Sequence, residues 1–215
     1  MPTPIYHITN VNNLARIVQT GGLWCDAERV RQGFDCVGIA HESLKERRAR
    51  TPVPNRAGQT IAAGGVLADY VPFYFANRSP MLYSIHRGNV VGYAGGQANV
   101  IYLVSSVEQA VAGDRPWCFT DGHAVEAMTE FFAITERLDR IDWEVIEARY
   151  WSSTEADLDR KRRKQAEFLI HGSVPWNWFH QIGVVDQRRA QRVREIIAEA
   201  EHRPEVAVEP RWYYE

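Results

Sequence analysis

One stretch, Arg160-Lys161-Arg162-Arg163-Lys164-Gln165-Ala166-Glu167-Phe168-Leu169-Ile170, constrains this chain more than any other. Five consecutive cations repel one another and are costly to gather unless an anion neutralises them. They run directly into an apolar segment, which predicts a buried strand. Alternation along that strand sets Glu167 on the face opposite Ala166 and Phe168. The fold must therefore bury a strand that opens on a carboxylate beside dense positive charge. One reading is a solvated charge run ending in a surface Glu paired with a nearby Arg. The other is a functional acid at the mouth of a basic substrate loop, about residues 151–166.

The rest of the composition sharpens the choice. Lys plus Arg number 25 against 27 for Asp plus Glu, so a polyanion site has to be local, and the 160–164 cluster is a distinct patch. With 215 residues, 45% of them apolar, one domain spanning 1–215 can bury a sizeable core. Cys25, Cys36 and Cys118 are odd in number and lack Cys-x-x-Cys spacing, which argues against a disulfide framework or a zinc site. The first residues lack a charged start followed by an apolar core, and no run approaches the ~20 apolar residues of a membrane span. A cytoplasmic protein with no membrane partner is expected.

Along the chain, Ile5 to Ile8 reads as a strand ending near His7, followed by a helix carrying Leu14, Ile17 and Val18 that Gly21-Gly22 terminates. Ser43 to Arg50 is a short basic turn broken by Pro52, with Arg47, Arg48 and Arg50 as candidate anion clamps. Asn55 to Ala68, small and Gly-rich, suggests a flexible loop. Val71 to Ala76 is an aromatic strand in which Tyr74 points opposite Phe73 and Phe75, and a helical piece starts at Ser79-Pro80. Val100 to Val104 is the clearest central strand, with a helix from Val107 to Ala112 behind it. Trp117-Cys118-Phe119 is a strand, and Asp121-Gly122 makes a tight turn exposing His123 at the start of a helix towards Phe132. A break lies near Ile146, Ile182 to Val185 is a returning strand, and a last amphipathic helix spans about Arg188 to Glu201. Short strands mixed with helices, without regular βαβ alternation, make the fold class α+β.

Taken in order, Tyr6-His7-Ile8-Thr9, Lys45-Glu46-Arg47-Arg48, Val71-Pro72-Phe73-Tyr74-Phe75 with Ser79-Pro80-Met81-Leu82-Tyr83, Thr120-Asp121-Gly122-His123 and Gln165-Ala166-Glu167-Phe168-Leu169 resemble the DarT family of DNA ADP-ribosyltransferase toxins. The likeness covers nearly the whole chain. It implies a split sheet around a cleft that holds NAD+, peripheral helices, and transfer of ADP-ribose to a base in single-stranded DNA, thymidine first. It puts the family's catalytic Glu on Glu167, its functional Arg on Arg48 and its strand His on His7. Thr9, Tyr74 and Met81 join His7 and Arg48 at NAD+, and His123 with Arg160, Lys161, Arg162, Arg163 and Lys164 forms the DNA side. It also implies a macrodomain-containing antitoxin as partner, and requires no metal.

The chemistry is coherent on physical grounds. Cleavage of the nicotinamide–ribose bond builds an oxocarbenium-like cation, which a nearby carboxylate stabilises. Glu167 supplies that charge. Rival readings are an ADP-ribosyltransferase acting on guanosine, RNA or protein, and a non-catalytic module that binds single strands through aromatic platforms beside the basic loop.

Overall fold

A computed structural model of the chain describes residues 2–56 and 59–215. The elements in chain order are β1 (Pro4–Asn10), α1 (Leu14–Gln19), β2 (Gly22–Trp24), α2 (Asp26–Arg31), α3 (Glu42–Arg48), β3 (Asn55–Arg56), β4 (Gln59–Thr60), β5 (Tyr70–Tyr74), α4 (Pro80–His86) and β6 (Val100–Ser106). There follow α5 (Val107–Ala112), β7 (Trp117–Thr120), β8 (Phe131–Phe132), α6 (Trp143–Glu147), α7 (Arg160–Arg163), β9 (Glu167–His171), β10 (Ser173–Pro175), β11 (Gln181–Val184), α8 (Gln187–Ile196) and β12 (Glu205–Val208). Short turns of 3₁₀-helix join several of them.

The main sheet has the order β12-β11-β6-β1-β5-β9-β7-β8. Strand β6, inside one half of it, is buried throughout, as a continuous apolar, β-branched run requires. Strand β1 pairs with β6 along its whole length, from Pro4↔Ser106 to Asn10↔Val100, yet meets β5 only at Tyr6↔Tyr74. The sheet is therefore split at that single pair. One half is β12-β11-β6-β1 and the other β5-β9-β7-β8. Only β11 and β12 run parallel, which makes the sheet mixed.

Packing shows how the halves stay together. On one face Ile5, Leu103, Phe73, Phe75, Phe119 and Phe168 belong to one continuous core that spans the split and takes in α1, α5 and α8 through Leu14, Ala110 and Val193. The other side carries two separate clusters, one around Ile8, Leu82, Tyr102 and Tyr213, the other around Leu67, Tyr70, Cys118 and Leu169. Burial glues the halves on one side and leaves a seam on the other. A mixed split sheet with flanking helices is the α+β architecture that the sequence led us to expect.

Most expected elements fall within a residue or two of the observed ones, but four expectations need correction. Residues 121–130 form no helix. Instead Asp121 N donates to Glu130 O, Glu130 N donates to the Asp121 carboxylate, and Thr129 Oγ1 donates to His123 O, closing a compact loop. Those side-chain bonds offer the backbone partners that a helix would otherwise supply. The basic run is also not an open loop, since Arg160–Arg163 is a helical turn. Within the stretch read as a flexible loop, Ala57 and Gly58 lie outside the described residues, while β3 pairs with β4 around them and Leu67 is buried. The last helix ends at Ile196, short of the expected Glu201.

Candidate active site

Where β1 and β5 part, a cleft opens that is lined by His7, Thr9, Arg48, Tyr74, Met81, His123 and Glu167 among others. The sequence scattered these residues from position 7 to 167. The split in the sheet gathers them.

Glu167 is the first residue of β9, opposite Tyr74 on β5, and is only 2% exposed. Its two oxygens are held separately. Oε2 accepts from Arg48 Nη1 at 2.7 Å, and Oε1 accepts from the backbone N–H of Ala124 at 3.0 Å. Arg48, the last residue of α3 and 8% exposed, also donates from Nη2 to Leu67 O at 3.4 Å. One guanidinium fork thus ties the acid on β9 to the turn that leads into β5. A buried pair of this kind is costly to assemble and defines geometry more than it adds stability.

The 120–124 turn wraps the same acid. Thr120 Oγ1 accepts from Glu167 N at 3.0 Å and donates to Gly122 O at 2.7 Å, which sets the turn that presents Ala124 N to the carboxylate. His123 lies beside it in the cleft wall, and burial lowers its pKa, so the ring is neutral at neutral pH.

His7 Nδ1 lies 2.8 Å from Pro72 O, across the split from β1 to β5. A carbonyl only accepts, so Nδ1 carries the proton and Nε2 is the acceptor. Burial lowers the pKa of this ring too, against the smaller opposing pull of the Pro72 bond. Thr9 Oγ1 accepts from Asn13 Nδ2 at 3.0 Å, and Met81 at the start of α4 supplies an apolar wall. Tyr74 is half-buried beside Glu167, its partner across the β5–β9 pairing, and its phenol pKa is raised, mainly by desolvation.

The cations of the 160–164 run are placed differently from expectation. Arg162 donates to Asp159 and Asp121 and to Thr129 Oγ1, while its backbone carbonyl accepts from His123 N. Arg163 pairs with Asp142 and Asp157. Lys164, 2% exposed, donates to Ile146 O and Ala148 O and so caps the end of α6. Arg160 bonds Tyr150 O and approaches Asp157 at 3.8 Å, and only Lys161 is an exposed side chain. Carboxylates of this chain provide the neutralising anion. A polyanion would have to displace them.

Sequence reasoning missed the opposite wall of the cleft, made by Trp24, Cys25, Phe34 and Cys36. Asn13 holds it, its amide exchanging two bonds with the Val37 backbone at 3.0 and 2.7 Å. Nothing in the composition of residues 22–40 marks them as site residues. The Ala124 amide was invisible because a backbone donor leaves no residue-type signal. Among the described residues no group of three or more His, Cys, Asp or Glu could hold a metal ion.

Comparison with known proteins bears on this geometry. Residues 6–214 match the family described as "DarT: ssDNA thymidine ADP-ribosyltransferase, DarT". The DNA ADP-ribosyl transferase of Thermus sp. (strain 2.9) is 40% identical over 215 residues, which cover 99% of this chain and 97% of that protein. The solved structure of Thermus sp. 2.9 DarT in complex with ADP-ribosylated ssDNA aligns at a TM-score of 0.89 with 39% identity, covering 99% of this chain and 97% of the other. Its complex with NAD+ aligns at 0.86 with 38% identity, covering 99% and 98%. A DNA ADP-ribosyl transferase–DNA ADP-ribosyl glycohydrolase fusion protein of Thermosipho africanus is 24% identical over 196 residues, 90% of this chain and 45% of the fusion. A split sheet with an Arg-held glutamate at the seam, matched from end to end by sequence and by shape, places the chain in the DarT family.

Proposed function

We propose that this protein transfers ADP-ribose from NAD+ to a thymine base in single-stranded DNA, with release of nicotinamide. The observation that carries the reading is the Glu167 carboxylate, buried at the seam of the split sheet and held at both oxygens by Arg48 and Ala124 N.

In this reading Glu167 stabilises the positive charge that develops on the ribose as its bond to nicotinamide breaks. A preorganised charge in a site that excludes water acts strongly there. Each carboxylate oxygen retains a lone pair beyond the bond it already accepts, so Glu167 also serves as hydrogen-bond acceptor for a ribose hydroxyl. His7 Nε2 is a second acceptor for the sugar. Thymine in DNA carries one ring N–H. That nitrogen forms the new bond to the ribose carbon, and its proton passes to Glu167 as general base. In a duplex the same N–H is paired, and exposing it costs a few kcal/mol, so a single strand is the easier substrate. Tyr74 and neutral His123 offer ring faces beside the acid for an incoming base.

The Thermosipho relative joins a transferase to a DNA ADP-ribosyl glycohydrolase, an activity that reverses the modification. By that analogy the partner of this chain is a macrodomain antitoxin that removes ADP-ribose. We assign the pair to the cytoplasm. Among the described residues no helix is long and apolar enough to cross a membrane.

The test is incubation with NAD+ and mixed-sequence oligonucleotides, single-stranded and annealed, followed by digestion and mass analysis of each nucleoside. ADP-ribosylated thymidine from the single strand only is the expected product. Adducts on guanosine, on RNA or on protein alone would replace the proposed acceptor.

A further inference from the structure

A second cavity, of about 650 Å³, lies on the far side of the Tyr6–Tyr74 pair from the cleft. Such a volume falls within the roughly 300–1,000 Å³ of pockets that take small-molecule ligands. Tyr6 and Phe75 form part of its wall, and Phe75 directly follows Tyr74 of the cleft. Lys164, three residues before Glu167, also lines it. The two openings thus share the strand ends that carry the reacting group.

Charge distinguishes this groove. Arg78, Arg149, Lys164 and Arg211 line it against the carboxylates of Glu147 and Glu215. Among the described residues none of these four cations is in an ion pair, whereas Arg162 of the basic run is tied to two aspartates and Arg163 to three. Arg78 Nε is buried with no hydrogen-bond partner, and its Nη2 donates to Tyr213 O. A buried donor without an acceptor calls for a ligand or water to complete it. Lys164 is a charged wall rather than a contact, since its ammonium already bonds two carbonyls and burial pushes its pKa down to about 8. Arg149 and Arg211 are exposed and free to reach outward. Beside Arg149 the Tyr150 ring, 81% exposed, lies 5.9 Å from the guanidinium. Unpaired cations with an aromatic face alongside are what a flexible single strand uses for its phosphates and bases.

We infer that this groove seats the sugar–phosphate backbone of the single strand on one flank of the modified base, with Arg149 and Arg211 contacting phosphates and Tyr150 stacking a neighbouring base. The inference rests on the transfer reaction proposed above. It also accounts for the self-neutralised basic run, because the phosphate contacts fall to cations that have no carboxylate of their own.

The experiment uses the Arg149→Gln/Arg211→Gln double variant and an oligonucleotide of about 12 nucleotides, within the roughly 4–16 that single-strand sites span. Binding is measured by fluorescence anisotropy without NAD+ across a salt series, and transfer by the KM for oligonucleotide and for NAD+. Two lost contacts at about 0.7 each predict a slope of log affinity against log salt shallower by about 1.4. The KM for oligonucleotide should rise about tenfold, with kcat and the KM for NAD+ unchanged. Arg149→Lys/Arg211→Lys should keep most of the affinity, since phosphate tracking needs charge more than a fork. Wild-type affinity and slope in the Gln variant would overturn the assignment, as would a Lys variant no better than Gln. Should the wild type bind the strand through these arginines yet modify no base, the reaction proposal fails and the groove stands. Normal transfer with no effect of the arginines sinks the groove alone.

Discussion

At the level of single residues, the arrangement turns on one acid whose two oxygens have different donors. Glu167→Gln keeps the shape but can accept at only one of them, so its amide NH2 must face either Arg48 Nη1 or Ala124 N. Transfer should fall by ~10²–10³, as for loss of one electrostatic contact at a reacting centre, and the melting temperature should fall with it. Retention of more than about a tenth of wild-type activity would remove Glu167 from the chemistry. Arg48 spans a carboxylate and a carbonyl with one fork, which an ammonium cannot do. Arg48→Lys should therefore be nearly as inactive as Arg48→Ala, whereas Arg50→Lys, at an exposed position, should behave as wild type. Equal tolerance at both sites would mean the fork is dispensable. His7 and His123 have pKa values lowered by burial, so just below pH 6.5 the unfolded chain binds more protons at these rings than the folded one. Their contribution is full above about pH 6.5 and is lost as the pH falls. Thermal scans from pH 7 to 5 should show a decline that His7→Gln/His123→Gln flattens, and an unchanged decline would assign it to other groups.

Among the elements, α7 acts as a clamp on the loop that holds the acid. Arg162 joins its own turn, through Asp159, to Asp121 and Thr129 of the 121–130 loop, and a Cβ on Gly122 would collide with its guanidinium. Hydrogen bonds to charged groups contribute about 1.5–3 kcal/mol each. Arg162→Gln should destabilise the protein by about 2 kcal/mol, a drop of roughly 4–8 °C in Tm for a chain of this size. It should reduce kcat by loosening Ala124 N while leaving the salt slope of DNA binding intact. A shallower salt slope at unchanged Tm would restore the open basic patch. The location of this cluster was legible in the sequence, but its role was not. Five cations in a row signal a need for anions, and nothing local shows that Asp121, Asp142, Asp157 and Asp159 fold back to provide them. The strands tell the opposite story. Alternation correctly set Tyr74 apart from Phe73 and Phe75 and Glu167 apart from Phe168, because period-2 geometry is a property of the strand alone.

Taken whole, the molecule is a sheet joined by a continuous core on one face and parted on the other at Tyr6↔Tyr74. His7, Arg48 and Glu167 lie on three elements far apart in sequence, and their meeting depends on that seam. Periodicity found β1, β5, β6, β7, β9 and β11 but missed β8 and β12 of the main sheet, and it could not give the strand order, since a single short pairing between β1 and β5 leaves no trace in residue pattern. Family resemblance supplied the grouping where local physics could not. The cleft wall at residues 22–40 stayed hidden for a related reason, being irregular backbone tied down by Asn13. The measurement that tests the central claim most directly is the intact mass of a single-stranded oligonucleotide containing one thymine after incubation with the protein and NAD+, beside the same strand carrying N3-methylthymine. The account predicts one ADP-ribose on the first strand, nicotinamide released in equal amount, and no adduct on the second. Equal modification of both strands, or consumption of NAD+ with neither modified, would contradict it.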